Sequence, residues 1–123
     1  MSFDWLHYID MAQELFRQSS VSSHKDADLR CSISRAYYGT FHRARHRLYD
    51  RWGILVPKTA SAHSQVRKEF KDKGHWQIAA NLNRMRIDRN LADYEDSVPN
   101  LDAVARENLK RANQVILALK QIQ

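Results

Sequence analysis

The stretch SRAYYGTFHRARHRLY, residues 34–49, lies in the segment that decides the fold. In this segment apolar residues recur with the 3.6-residue period of an α-helix and so share one helix face. These residues are Leu29, Ile33, Ala36, Tyr37, Thr40, Phe41, Ala44 and Leu48. We therefore predict a helix from about Asp26 to Trp52 that ends at Gly53, with this face in the core.

The rest of the chain has the same helical period. Further helices are predicted at about residues 3–20, 62–73 and 76–96, and a last one begins after Asn100, which we expect to cap it. The polar residues 19–28 and the segment 54–63 around Pro57 predict connections between helices. We expect an all-α protein, an up-and-down antiparallel bundle of four to five helices, with residues 1–123 in a single domain.

Composition limits the classes of function. The 123 residues have a formal net charge of +6, which favours polyanionic partners such as RNA. The one cysteine and the spacing of the histidines form no metal-ligand motif, so we expect neither a metal ion nor a cofactor. The sequence has no apolar run of membrane-spanning length and no signal-peptide pattern at its start, which predicts a cytoplasmic protein without a membrane partner.

A second line of side chains runs beside the core face of the helix predicted at residues 26–52. It consists of Arg35, Tyr38, His42, Arg45 and Tyr49. Arginine can hold a phosphate with two hydrogen bonds, tyrosine rings can stack on bases, and histidine titrates near neutral pH. This line is therefore either a site for an anion or a base, or a half-buried boundary of the bundle.

A charge interrupts the core stripe of the helix predicted at residues 76–96. Arg89 falls on the apolar stripe of that helix, and Asp93 follows one turn later as its expected partner. Arg86 and Asn90 lie on the adjoining face. The spacing leaves two interpretations open: an ion pair that fixes the orientation of the helix, or an arginine that a carboxylate holds in place to bind phosphate.

The two segments SRAYYGTFHRARHRL (34–48) and RNLADYED (89–96) together resemble the HEPN domain, in its small single-domain prokaryotic branch. The resemblance implies a helical bundle that forms a homodimer. It also implies a metal-independent ribonuclease, often a toxin encoded beside a minimal nucleotidyltransferase antitoxin. In such an enzyme the 2′-hydroxyl of RNA attacks the adjacent phosphorus, a histidine moves a proton and an arginine stabilises the developing charge.

The resemblance also suggests roles for individual residues. Arg89 would contact phosphate, and Asn90 and Asp93 would orient it, while Tyr94 and Tyr38 would position a base. The chain departs from the family pattern because the residues that follow Arg89 and Asn90 include no histidine.

His42 is then the predicted proton carrier, with Arg89 and Asp93 as its catalytic partners. Arg35, Tyr38, Arg86, Asn90 and Tyr94 are the predicted RNA- or nucleotide-binding residues. Arg35 and His42 have the spacing of the family's arginine–histidine motif, but on a different helix.

Three functions follow from these observations. The first is an RNA-directed protein, a metal-independent ribonuclease or an RNA- or nucleotide-binding component of a toxin–antitoxin-like pair. The second is a non-catalytic nucleotide- or partner-binding subunit that docks a minimal nucleotidyltransferase. The third is a homodimer whose arginine–aspartate cluster serves only its interface.

Overall fold

The computed structural model describes residues 3–123, so the first two residues of the predicted domain lie outside it. The described residues form five α-helices and no strand: α1 (Leu6–Gln18), α2 (Lys25–Trp52), α3 (Ala62–Asp72), α4 (Trp76–Tyr94) and α5 (Leu101–Gln121). A short 3₁₀ turn, Ser19–Val21, follows α1. The predicted all-α helical bundle is confirmed.

The helix ends follow the predicted signals. Gly53 ends α2 in the left-handed conformation at φ 67°, and its N–H donates to the carbonyls of Leu48 and Tyr49. Asn100 precedes α5 as predicted, but its own backbone is left-handed and its side chain makes no capping hydrogen bond. Asn100 is still the N-cap residue of α5, as predicted, and its backbone carbonyl accepts the N–H of Val104 at 3.0 Å.

The long helix α2 lies at the centre of the bundle, against α1, α4 and α5. All eight residues of its predicted core face are buried. Gly39 lets α1 approach closely, because a Cβ at this position would lie 2.9 Å from the Trp5 carbonyl oxygen and 2.9 Å from Ile9 Cγ1. α1 and α4 run antiparallel to α2, which places Tyr37 and Tyr38 beside Arg89.

The connection between α2 and α3 runs back along α2. Phe70, near the end of α3, lies 6.4 Å from Trp52 at the end of α2, and His63 in the first turn of α3 lies 4.3 Å from Phe41 (ring centroids). α3 is therefore parallel to α2 and packs against the side of α4. This path brings α3 to the tyrosines of α2.

Candidate functional site

The guanidinium of Arg89 lies at the junction of α2 and α4. Its Cζ is 5.2 Å from the centre of the Tyr38 ring and 5.5 Å from that of Tyr37. The Arg89 side chain is only 11% exposed, and its Nη1 is 3.8 Å from Asp93 Oδ2. The predicted pairing with Asp93 is present, but it is long, and Arg89 Nε is buried without a hydrogen-bond partner among residues 3–123. Part of the donor capacity of this guanidinium is therefore unused.

Two further arginines complete what we call the arginine cluster, Arg67, Arg86 and Arg89. Arg86 donates from Nη2 to Asn83 Oδ1 at 3.1 Å. Within the described residues, Arg86 Nε and Arg67 Nη1 are buried without a hydrogen-bond partner. Burial, and then the charge of Arg86, lower the pKa of Arg67. The guanidinium of Arg86 on α4 is thus close enough to that of Arg67 on α3 to disfavour its charge.

His63 is the imidazole that the arginine cluster surrounds. Its Nδ1 lies 2.5 Å from the hydroxyl oxygen of Tyr37. Burial lowers the pKa of His63, and Arg89, Arg67 and Arg86 lower it further. The ring is therefore neutral at pH 7.

The Tyr37 hydroxyl, the partner of His63, also keeps its proton. Burial raises the pKa of Tyr37 to about 12, although the three arginines oppose this shift. The site thus combines two neutral hydrogen-bonding rings with three cations.

His42 lies on the other side of Tyr38, against α1. Its ring stacks on Trp5 at 3.8 Å between centroids and lies 6.3 Å from the Tyr38 ring. Burial lowers its pKa to about 4, and Arg45 is the largest of the neighbouring charges that act in the same direction. At pH 7 His42 is neutral and is a weaker base than an ordinary histidine.

The other predicted site residues separate into two groups. The structure brings Arg86, Arg89, Asp93 and Tyr38 together, and Ser34 approaches Asp93 with its Oγ 3.5 Å from Oδ2. Among the described residues, the three others make no hydrogen bond, ion pair or cation–π contact with this group. Arg35 lies 4.9 Å above the Tyr8 ring of α1, Asn90 is half-buried on α4, and Tyr94, the last residue of α4, is 74% exposed.

Sequence reasoning missed His63 and Arg67. The only sign of them in the sequence is their spacing of four residues, which puts both on one face of α3. That spacing says nothing about which helix the face meets. Residues 53–61 run back along α2 and so determine which helix α3 packs against, and their sequence has no helical period that would predict this path.

The fold and the site define an all-helical bundle with a cluster of three partly buried arginines around a neutral histidine. No protein-family model, curated protein or solved structure matches the chain. Within residues 3–123 no group of three or more His, Cys, Asp or Glu side chains is placed to hold a metal ion. In the same part of the chain, every helix is too short or too polar to cross a membrane.

Proposed function

We propose that the protein binds RNA, with the arginine cluster holding a backbone phosphate. The observation that carries this proposal is an excess of donors and positive charge. Among the described residues, only Arg89 of the three arginines has a carboxylate within 4 Å, that of Asp93, and each of the three has a buried N–H group without an acceptor. A phosphate would supply both the missing acceptors and the missing negative charge.

Two features favour RNA over a small free anion. Tyr38 lies directly under the Arg89 guanidinium, so a base next to the bound phosphate has an aromatic ring within reach. The chain as a whole has a net charge of +6, which attracts a polymer of phosphates more strongly than a single ion. The resemblance to HEPN domains supports the same class of ligand.

The second part of the proposal is metal-independent cleavage, with His63 instead of His42 as the proton carrier. His63 responds to all three arginines of the cluster, and an entering phosphate would offset their effect and raise its pKa. When His63 donates Nδ1–H to Tyr37, Nε2 is free to take the proton of the 2′-hydroxyl. The 2′-oxygen then bonds to phosphorus, the bond to the 5′-oxygen breaks, and the departing 5′-oxygen takes up a proton from water. The arginines stabilise the charge on the phosphoryl oxygens.

RNA binding is tested with Arg89→Met, measured by fluorescence anisotropy of a labelled RNA at low salt. We expect the dissociation constant to rise about 10- to 150-fold, the usual cost of losing hydrogen bonds to a charged group. We also expect the slope of log K against log salt to decrease by about 0.7.

Arg17→Met is the matched control. Arg17 is an exposed residue of α1 that, within residues 3–123, pairs only with Glu14, and its loss removes the same charge. Equal affinities of the two variants, or a wild-type protein that does not bind RNA, would refute the proposal. Arg89→Lys, which keeps the charge, separates the loss of hydrogen bonds from the loss of charge.

Cleavage is tested with the same RNA in the presence of a metal chelator. Wild-type protein and His42→Ala should release fragments with 2′,3′-cyclic phosphate ends, whereas His63→Ala should bind the RNA and leave it intact. If the wild-type protein binds RNA but does not cleave it, the proposed catalysis is refuted and the proposed RNA binding stands.

One observation favours a second candidate function, a partner-binding subunit. Ile87, Leu91 and Tyr94 are exposed on α4 at the spacing i, i+4, i+7 and form one apolar row. Through this row two copies of the chain would join their α4 helices, which is the homodimer that the HEPN resemblance implies.

Sedimentation of Leu91→Glu tests this role, with Leu117→Glu on α5 as the control. A dimer that only Leu91→Glu dissociates supports self-association. A monomeric wild type that forms a complex with a nucleotidyltransferase encoded beside it would instead support the heterologous partner.

A further inference from the structure

A groove of about 480 Å³ lies between α3 and α4, next to the arginine cluster. We call it the α3–α4 groove. Its lining comes from two helix faces and includes Arg67, Lys68 and Lys71 on α3 and Trp76, Ala80 and Asn83 on α4. Each set has the spacing of neighbours on one helix face, so the two helices present continuous walls to the same space.

The walls of the α3–α4 groove combine one exposed aromatic ring with three cations. Trp76 is 60% exposed, an unusual state for a tryptophan in a bundle of this size. None of the described residues that line the groove is acidic. Lys68 pairs with Asp72 at 2.7 Å, but both side chains are largely exposed, so this pair holds the lysine only weakly.

The α3–α4 groove is continuous with the arginine cluster at one end. Arg67 belongs to both, and Asn83 accepts the hydrogen bond of Arg86. At a rise of 1.5 Å per residue along α4, Trp76 lies about 10 Å, or two helical turns, from Asn83. On the same basis it lies about 20 Å from Arg89. A strand of about six nucleotides at a stacked spacing of ~3.4 Å therefore reaches from Trp76 to Arg89.

We propose that the α3–α4 groove binds the unpaired part of an RNA strand that continues from the arginine cluster, with one base stacked on the Trp76 indole. This inference rests on the proposed RNA binding and adds that the ligand is single-stranded. Lys71 contacts a phosphate next to the stacked base, and the small side chain of Ala80 leaves room for that base. A base paired in a duplex has no free face to offer to Trp76.

The first test is the affinity of Trp76→Ala for a labelled octaadenylate RNA, measured by anisotropy. Loss of one stacked base should weaken binding about 5- to 150-fold, and Trp76→Phe should restore most of the affinity. Leu117→Ala is the matched control, because Leu117 is an apolar residue on α5 with almost the same exposure, 59%. Affinity for an RNA duplex of the same length should not depend on Trp76.

The second test uses tryptophan fluorescence. Octaadenylate should quench the emission of the wild type, and Trp76→Phe should bind the RNA without this quenching, although Trp5 and Trp52 remain. Lys71→Ala should lower the salt slope by about 0.7 more than Lys110→Ala, which removes an equivalent exposed charge from α5.

The outcomes separate this inference from the proposed function. If Trp76→Ala binds octaadenylate as tightly as the wild type while Arg89→Met does not, the α3–α4 groove plays no part and RNA binding by the arginine cluster stands. Equal losses for single-stranded and duplex RNA in Trp76→Ala would also refute stacking, because the change would then be structural. A wild-type protein without affinity for RNA overturns both proposals.

Discussion

The half-buried imidazole of His42 should make the protein sensitive to acid. Besides burial, four groups lower its pKa: Arg45 and His46 on α2, His63 on α3 and Lys58 in the connection between them. Burial and these charges hold its pKa at about 4 in the folded chain, against 6.5 in the unfolded chain. Above pH 6.5 this histidine is neutral in both states, and the folded state has its full stability. As the pH falls from 6.5 towards 4, the unfolded chain takes up a proton that the folded chain does not, so the folded state loses stability.

The size of the effect follows from the two pKa values. At pH 5 the unfolded chain has taken up a proton at this position and the folded chain has not, which costs the folded state about 2 kcal/mol at 1.36 kcal/mol per pH unit. Because His42 is only half-buried, solvent screens part of this difference, and we expect about 1 kcal/mol.

The assay is urea denaturation of the wild type and of His42→Phe at pH 7.5 and pH 5. Phenylalanine keeps a ring against Trp5 but cannot take up a proton. His46 and His63, whose pKa values are also lowered, are present in both proteins, so the difference between the two isolates His42. His42→Gln provides a second variant that does not titrate. If both variants lose as much stability between the two pH values as the wild type does, the assigned pKa of His42 is wrong.

Three further changes should alter stability, as measured by urea denaturation. Gly39→Ala should destabilise the fold by about 1–2 kcal/mol, because the new Cβ would lie 2.9 Å from the backbone oxygen of Trp5. Alanine has the higher helix propensity, so a gain in stability would refute this. Asn108→Ala should cost about 2–3 kcal/mol, since its Nδ2 donates at 2.9 Å to the buried carboxylate of Asp88, and a cost below 0.5 kcal/mol would contradict that. Arg30→Met should cost about 1–2 kcal/mol and fray the end of α4, whose last carbonyls Arg30 binds, and unchanged amide exchange there would refute it.

The parts of the fold that could be predicted are those that a local period specifies. On α2 the period places Ile33, Tyr37 and Phe41 in the core, and on α4 it places Arg89 in line with buried residues. Strict alternation of sequential helices would make α4 parallel to α2, so the meeting of Arg89 with Tyr38 does not follow from the local period. It depends on α3 running parallel to α2, which leaves α4 antiparallel to α2.

The parts that could not be predicted depend on contacts between segments distant in sequence. His63 and Arg67 enter the site because residues 53–61 return along α2, and no local pattern encodes that path. Likewise, the spacing from Arg35 to His42 fits a motif, but it does not reveal that α1 covers both side chains with Tyr8 and Trp5. Gly39 allows α1 to pack closely on α2 at this point, and the need for glycine there is evident only when the contact between the two helices is known.

The proposed phosphate would account for features of the arginine cluster that the needs of the fold leave unexplained. Its guanidiniums have buried N–H groups without acceptors among residues 3–123, Arg86 lowers the pKa of Arg67, and all three arginines lower that of His63. Apolar side chains of similar size would fill the same space without these costs. An arginine that only orients α4 would need one carboxylate in close contact. Arg89 instead lies 3.8 Å from Asp93. Arg67 and Arg86 add positive charge that Asp93 does not balance. The entry of an anion removes all of these costs together, because it accepts the free hydrogen bonds and offsets the repulsion.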